Sequence, residues 1–388
     1  MRILHVCVSL PDVWGGPPRA LATMARAQAA RGDDVVVLPS VFTPGPQTLE
    51  PGDYGNLKVL HPPATGNLKW YNSKLKRELR RAAADRDIVH IHGTWRYHTL
   101  GAAGVARGYG IPFIVRPAGN LGEVTRRHKA YLKMPYFELI ERPVLNRAAA
   151  IHCTSRKEEH ELAGVRLKPR TFIVPQPIAN ESAGIEPDLA ALRGLCRDLR
   201  WDGAKRIVYL GRISFIKSID LLLEGFIRLA AEFPAWTLIL AGPPEDAAIS
   251  DALSRRAREA GLADRVAVPG MVRGPTKAAL LSAADIFAQP SKHENFGISV
   301  AEALFFGVPC VVSDGVALAE DIREAGAGGV FVSEPTAIAD ALRPLLSDDA
   351  LRARQAAAAK ALARKFDPAS VAQQLHHEYE RCIAGKRM

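Results

Sequence analysis

The chain has 388 residues, 48% of them apolar, and 51 Lys and Arg against 41 Asp and Glu give a net charge of +10. That length suggests two domains, the composition excludes a disordered chain, and no apolar run of about 18 residues is present to cross a membrane. The charge is one-sided: residues 1–180 hold 26 Lys and Arg against 14 Asp and Glu, whereas residues 181–388 hold 25 against 27. A basic first half favours an anionic partner, whether phosphate, nucleic acid or an acidic membrane face.

The N-terminal run reads as a first strand, Ile3–Val8, and not as a secretory signal, because it passes straight into a turn without a small-x-small cleavage site. Further strands are expected at Val35–Leu38, Val59–Leu60, Ile88–Ile91, Phe113–Val115, Ala150–His152 and Phe172–Val174, with helical patterns such as Ala20–Ala30 and Ser73–Ala84 between most of them. The second half repeats the alternation with strands at Ile207–Leu210, Leu238–Ala241, Val266–Val268, Ile286–Ala288, Cys310–Val312 and Val330–Val332. Strict β–α alternation predicts parallel sheets covered on both faces. The seam is Val174-Pro175-Gln176-Pro177-Ile178, which separates a domain of residues 1–178 from one of 179–365. Asp367-Pro368 then opens a last helix reaching about Ile383, expected to pack back on the first domain. The five cysteines, Cys7, Cys153, Cys196, Cys310 and Cys382, are scattered and include no CxxC, which predicts buried thiols in a reducing cytoplasm.

Ligands of doubly wound sheets bind beyond the carboxyl ends of strands, so the loops after strands are the places to look. After the first strand, SLPDVWGGPPR places Gly15 and Gly16 before a helix, although glycine pairs serve turns everywhere. DIVHIHGTWRYH brings His90 and His92 onto one face of a strand, followed by Trp95 and Arg96. Two alternating histidines suit a metal, but no third ligand is evident nearby, and metal is discounted. The helices Ser73–Arg86 and Arg126–Arg147 carry much of the positive charge, with Trp70, Tyr71 and other aromatics interleaved; an anionic membrane surface and an ordinary solvated face both account for that pattern.

In the second half, LGRISFIKSIDLLLEGF follows a strand. Gly211 permits a tight turn, and Arg212 and Lys217 set two cations where a diphosphate could be held. AGPPED and Val268-Pro269-Gly270-Met271-Val272 are further turns after strands. HENFGISVAEALFFGVPCVVSDG puts Glu294 in a loop and Glu302 inside the following helix, with Asn295, Phe296, Gly297 and Ile298 at its amino end. A glycine-led helix terminus attracts anions, and flanking carboxylates accept hydrogen bonds from sugar or ribose hydroxyls. Glu294 as a simple helix-dipole partner and Glu302 as a solvated side chain are the plainer alternatives.

AADIFAQPSKHENFGISVAEALFFGVPCVVSD resembles the E-x7-E signature of retaining glycosyltransferases of family 4, strongly in the second half and more weakly in the first. The resemblance implies an α/β GT-B fold, two doubly wound Rossmann-like domains facing across a cleft, the first binding the acceptor and the second the donor. It implies a metal-independent hexosyltransferase without a cofactor, whose co-substrate is a nucleotide-diphosphate sugar and whose acceptor is a saccharide, often polyprenyl-diphosphate-linked, in bacterial polysaccharide or glycolipid synthesis. Glu294, Arg212, Lys217 and His92 would be catalytic. Gly15, Gly16, Gly211, Met271, Val272, Asn295, Phe296, Gly297, Ile298 and Glu302 would bind donor, with Lys277 a lesser candidate, and Trp95, Arg96, Arg116 and Asn120 would bind acceptor. The segment FIVRPAGNLGEVTRRHK departs from the family pattern: Ala118 stands where a histidine or arginine is usual, leaving His92, Arg116 or Asn120 as its replacement.

Two other functions compete. A GT-B sugar-nucleotide epimerase would share the phosphate chemistry but needs first-domain carboxylates, for which Asp12 and Glu123 are unconvincing. A nucleic-acid binder would suit a pI near 9.5, yet no helix-turn-helix, RNA-binding sheet motif or zinc finger is present, so nucleic acid is not expected as a partner. The expected location is cytoplasmic, peripheral on the inner face of the cell membrane.

Overall fold

Strands form where β-branched and aromatic residues run together, and in both halves these runs are buried. A computed structural model describes residues 1–10, 16–41, 47–61, 73–127, 130–178, 185–332 and 334–385. The chain divides into two compact units, Met1–Ala179 with Phe366–Met388, and Asn180–Lys365.

The first unit is built on β1 (Arg2–Cys7), β2 (Asp34–Pro39), β3 (Gly52–Tyr54), β4 (Leu57–Val59), β5 (Ile88–His92), β6 (Phe113–Arg116), β7 (Ala150–Cys153) and β8 (Thr171–Ile173). Their order across the sheet is β3-β4-β2-β1-β5-β6-β7-β8. All neighbours are parallel except β3 and β4, a short antiparallel edge hairpin that the alternation rule did not anticipate. One sheet face packs Leu4, Val36, Val89 and Phe113 against helices that include Ser73–Ala83 and Tyr97–Gly108. The other face packs Ile3, Val35, Ile88 and Ile114 with Leu21 and Met24 of the helix Gly16–Ala30.

The helix Pro368–Ala384 completes that second face. Asp367 caps it by accepting from the Ser370 amide at 3.1 Å, and Val371, Leu375, Tyr379 and Cys382 are buried beside the helix Gly16–Ala30. Burying a side chain such as Val371 or Leu375 is worth about 2 kcal/mol. The basic segment expected as one helix, 126–147, is broken instead. Helical turns at Glu123–Arg127, Ala130–Tyr136 and Arg142–Leu145 flank a π-helical turn at Phe137–Glu141. Pro135 lacks the N–H that would donate into the helical ladder, and π turns commonly mark functional sites.

The second unit carries β9 (Lys205–Leu210), β10 (Trp236–Ala241), β11 (Val266–Gly270), β12 (Ile286–Gln289), β13 (Cys310–Ser313) and β14 (Gly328–Phe331), all parallel, in the order β11-β10-β9-β12-β13-β14. This is the doubly wound order with its switch point between β9 and β12. Ile207, Tyr209, Leu222, Phe226, Leu238 and Ile338 lead its core.

All five cysteines are free and buried. No helix among the described residues is long and apolar enough to cross a membrane.

Candidate active site

Because β9 and β12 are neighbours, the loops that leave their carboxyl ends meet at the switch point. The loop after β9 begins with Gly211, whose amide donates to the Ala241 carbonyl at 3.0 Å, while the Gly242 amide donates to the Gly270 carbonyl at 2.7 Å. Gly242 has φ +141°, and a Cβ there would collide with the Gly211 carbonyl, so this close approach needs glycine. The loop tightens into a 3₁₀ turn, Phe215–Lys217. The Lys292 amide from the loop after β12 donates to the Ile216 carbonyl at 3.0 Å, tying the two loops together.

Lys217 and Glu294 form an ion pair there, their side chains 18% and 22% exposed. Glu294 is held by its backbone: its amide donates to the Gly315 carbonyl at 3.0 Å, and its carbonyl accepts from the Ala317 amide at 3.1 Å. Arg212 is exposed, and its carbonyl accepts from the buried Tyr209 hydroxyl at 2.8 Å. Burial, then the Glu294 charge, pushes the Tyr209 pKa up, which places the tyrosine within electrostatic reach of both Glu294 and Arg212.

Gly297, at φ +98°, caps the helix Ile298–Phe305. The first bond of that helix runs from the Ala301 amide to the Gly297 carbonyl, leaving the amides of Ile298, Ser299 and Val300 outside its ladder. Phe296 is buried, and Asn295 is exposed with its Oδ1 2.9 Å from His293 Nε2. Glu302 is no solvated side chain: it is mostly buried and pairs with Lys277 at 2.6 Å. Met271 is half exposed and Val272 buried just after β11.

In the first unit, β5 and β6 are paired so that His92 lies opposite Arg116. Arg96 is exposed. Trp95 sits at φ +68° and Ala118 at φ +52°, a left-handed backbone that side chains other than glycine seldom adopt and that persists only when its surroundings fix it. Two bonds fix Trp95: its amide donates to Glu141 Oε1 at 3.2 Å and its indole to the Asn120 carbonyl at 2.7 Å. Gly16 opens the helix Gly16–Ala30; Gly15 and Asp12, like Trp70 and Tyr71, lie outside the described residues.

Residues 197–362 match the family described as "Glycosyl transferases group 1", and residues 15–176 match "Glycosyl transferase 4-like domain". The chain belongs to glycosyltransferase family 4. Among its relatives, a D-inositol 3-phosphate glycosyltransferase of Xylanimonas cellulosilytica is 29% identical, over 91% of this chain and 88% of that protein. A GDP-mannose:cellobiosyl-diphosphopolyprenol alpha-mannosyltransferase of Xanthomonas campestris is 26% identical, over 81% and 79%. The Anabaena Alr3699/HepE structure in complex with UDP matches at a TM-score of 0.75 with 18% identity, over 98% of this chain and all of that one. The fold is GT-B, and this family-4 protein is an enzyme of the hexosyltransferase type.

Sequence reasoning set His92 of this glycosyltransferase at the rim of a site. The structure buries it to 8% exposure within a cluster of rings. Nor is a third histidine lacking: ligand atoms of His5, His90 and His92 all lie within 4.8 Å of one another. The lone pairs of His5 and His90 are nonetheless already engaged. His5 Nδ1 is 2.9 Å from His92 Nε2, and His90 Nδ1 is 2.7 Å from the Tyr379 hydroxyl. Burial, foremost, lowers the pKa of every histidine here: His5 and His98 to about 4, His152 to about 3, and His90 and His92 well below the ordinary value.

The buried carboxyl of Glu141, on the π turn, escaped sequence reasoning altogether. Burial raises its pKa to about 7, against the lowering influence of the Trp95 amide and the Tyr136 hydroxyl. The available signal was a lone Glu in an aromatic-rich run, which spacing alone does not distinguish from a surface residue.

Proposed function

We propose that this enzyme transfers a hexosyl group from a nucleotide-diphosphate sugar to a saccharide acceptor with retention of anomeric configuration, without a metal. The observation that carries this reading is the Lys217–Glu294 pair at the switch point, beside Arg212 and the open amides of the helix Ile298–Phe305. Lys217 and Arg212 would hold the diphosphate and stabilise the charge that grows as it leaves. Glu294 would accept hydrogen bonds from the sugar hydroxyls, and Glu302, oriented by Lys277, from the ribose. Backbone groups around Met271 and Val272 would meet the base, and Asn295, Phe296 and Gly297 would line the donor sugar.

The bond between the anomeric carbon and the phosphate oxygen breaks, and the acceptor oxygen bonds to that carbon from the same face. The acceptor proton passes to the departing phosphate oxygen, so no side chain needs to act as a strong base. The acceptor is expected at the strand ends of the first unit, near His92, Trp95, Arg96, Arg116 and Asn120. The named relatives, acting on an inositol phosphate and on a diphosphopolyprenol-linked sugar, support a lipid- or phosphate-bearing acceptor in polysaccharide or glycolipid synthesis.

An anionic membrane surface at the cytoplasmic face is the further partner we favour. Around the π turn, Tyr131 and Leu139 are 76% and 78% exposed, with Leu132 and Ile140 beside them and Arg126, Arg127 and Lys133 close in sequence. The helix Ser73–Ala83, by contrast, buries Leu75 and Leu79 in its own unit and offers only its charged side.

The test is thermal stabilisation by UDP, GDP and ADP against an oligonucleotide, followed by a panel of nucleotide sugars scored for hydrolysis without acceptor. Stabilisation by a nucleoside diphosphate and release of one sugar support the transferase. Stabilisation by the oligonucleotide alone would overturn it.

A further inference from the structure

Arg116 ends β6, is 1% exposed, and carries a charge into the interior of the first unit. Its Nε and Nη2 have no hydrogen-bond partner. These two nitrogens form the side edge of the guanidinium, the fork that matches the two oxygens of a carboxylate or phosphate. The carboxylate whose charge acts on it, Glu158, is committed elsewhere: its oxygens accept from the Gly119 amide at 2.7 Å, the Thr154 amide at 2.7 Å and the Thr154 hydroxyl at 2.9 Å. Burial lowers the Arg116 pKa only to about 10, so the group stays charged at neutral pH. An unpaired buried charge of this kind is expensive to maintain unless something binds it.

The histidines beside it show what else the site offers, because one carbonyl fixes every proton in the cluster. His152 Nε2 lies 2.7 Å from the Val174 carbonyl, which can only accept, so His152 carries its proton on Nε2 and its Nδ1 is bare. His90 Nε2, 3.2 Å away, must donate to that Nδ1. His90 Nδ1 is then bare and takes the Tyr379 hydroxyl proton at 2.7 Å. With that proton used, the Tyr379 oxygen can only accept from Gln28, at 3.1 Å, which turns the Gln28 carbonyl towards His5 Nε2 at 2.7 Å. His5 donates there and receives the His92 Nε2 proton on its own Nδ1 at 2.9 Å. The chain ends at His92 Nδ1, a buried lone pair with no partner. The low pKa values of these rings keep all four neutral, as this ordering requires.

We propose that the Nε–Nη2 edge of Arg116 and the bare Nδ1 of His92 form a buried subsite for an oxyanion borne by the sugar acceptor, with an adjoining hydroxyl of that ligand donating to His92. The proposal deepens the acceptor reading given above and rests on it. His5, Gln28, His90, His152 and Tyr379 are positioning residues, since they act by fixing which nitrogen of His92 is bare. The positive excess of the first half of the chain draws an anion to the same place. Phosphate and carboxylate share the required chemistry.

The test uses the full chain labelled with ¹⁵N at histidine. Inorganic phosphate, acetate, glucose 6-phosphate, glucuronate and glucose are titrated separately while the Nδ1 resonance of His92 is followed. In the free protein that nitrogen should be of the unprotonated type, and phosphate or acetate should move it saturably. Arg116→Lys, which keeps the charge and loses the fork, should weaken binding about tenfold or more. Lys217→Ala should leave it unchanged, which separates this site from diphosphate binding in the second unit. The two charged sugars decide between phosphate and carboxylate, and either should bind more tightly than glucose. Tyr379→Phe, which releases the Gln28 orientation, should produce a mixture of His92 tautomers. A proton found on His92 Nδ1 in the wild-type protein would overturn the proposal. So would equal anion affinity in Arg116→Lys, an adventitious ion only. Loss of all nucleotide binding with this response intact would count against the donor reading alone.

Discussion

The Lys217 ammonium and the Glu294 carboxylate, 77 residues apart in sequence, neutralise each other at the switch point of the second sheet. The arrangement keeps a cation and a carboxylate poised without leaving either bare in a half-dry site. A donor would separate them, the diphosphate taking the lysine and the sugar hydroxyls the glutamate. Lys217→Ala and Glu294→Gln are each expected to lower the transfer rate about a hundredfold or more. Their effect on stability should be only ~1 kcal/mol, the scale of a partly exposed pair. Steady-state kinetics beside a urea titration measures both, and near-normal turnover in both variants would remove the site.

The Glu302–Lys277 pair makes a separate prediction. If Glu302 accepts hydrogen bonds from ribose hydroxyls, Glu302→Ala should weaken nucleoside diphosphate binding about tenfold, the value of hydrogen bonds to a charged group. The substitution should have almost no effect when the nucleotide lacks both ribose hydroxyls. Calorimetry with the ribo- and dideoxynucleotides decides it, and equal losses for the two would assign Glu302 a purely structural role.

The histidine cluster ties stability to acid. His5, His90, His92, His98 and His152 all have folded pKa values below the ordinary 6.5, chiefly through burial. Between pH 6.5 and about 4 the unfolded chain therefore binds protons that the native one refuses, and stability falls as pH falls. Each histidine contributes about 1.4 kcal/mol per pH unit across its window. The urea midpoint should drop steeply below pH 6.5, with uptake of several protons on unfolding. A flat midpoint down to pH 5 would contradict the buried network.

Glu141 acts in the opposite sense. Its folded pKa of about 7 lies above the ordinary 4.5, so the native state keeps a proton that the unfolded state has lost. Stability contributed by this group is complete below pH 4.5 and declines as pH rises to about 7. Glu141→Gln holds the neutral form at every pH and should be more stable than the parent above pH 7, with little difference at acid pH. The same comparison read at Trp95 fluorescence should show the indole environment becoming insensitive to pH in the variant.

What the sequence made legible was local. The Glu294…Glu302 spacing and the Gly211…Lys217 loop each lie within one strand–loop–helix step, so their position after β9 and β12 followed from order alone. The GT-B fold followed in the same way from repeated strand–helix alternation. What stayed hidden depended on register between distant strands. His5 meets His90 because β1 and β5 pair in that register, and His152 joins from β7. Tyr379 reaches them from a helix almost 300 residues later. The antiparallel β3 and the π turn were missed for another reason: a three-residue edge strand has too little pattern to show, and a π turn has the same apolar spacing as the helix around it.

Membrane docking separates two roles for the basic first half, and its signature is a combined dependence on charge and apolar area. Tyr131, Leu132, Leu139 and Ile140 expose apolar surface that the first unit does not cover, among arginines that attract anionic headgroups. Attraction to headgroups falls within a Debye length, about 8 Å at physiological ionic strength, so binding to anionic vesicles should be strong at low salt and released at high salt. Leu139→Asp should weaken binding at every salt concentration, because it removes inserted area and adds a repelled charge. Arg127→Gln should weaken it mainly at low salt. Leu139 lies at the surface, so the fold and hydrolysis of the donor without acceptor should be unaffected. Vesicle sedimentation measures all three, and binding that ignores salt, or a Leu139→Asp variant that binds like the parent, would exclude this face as the docking surface.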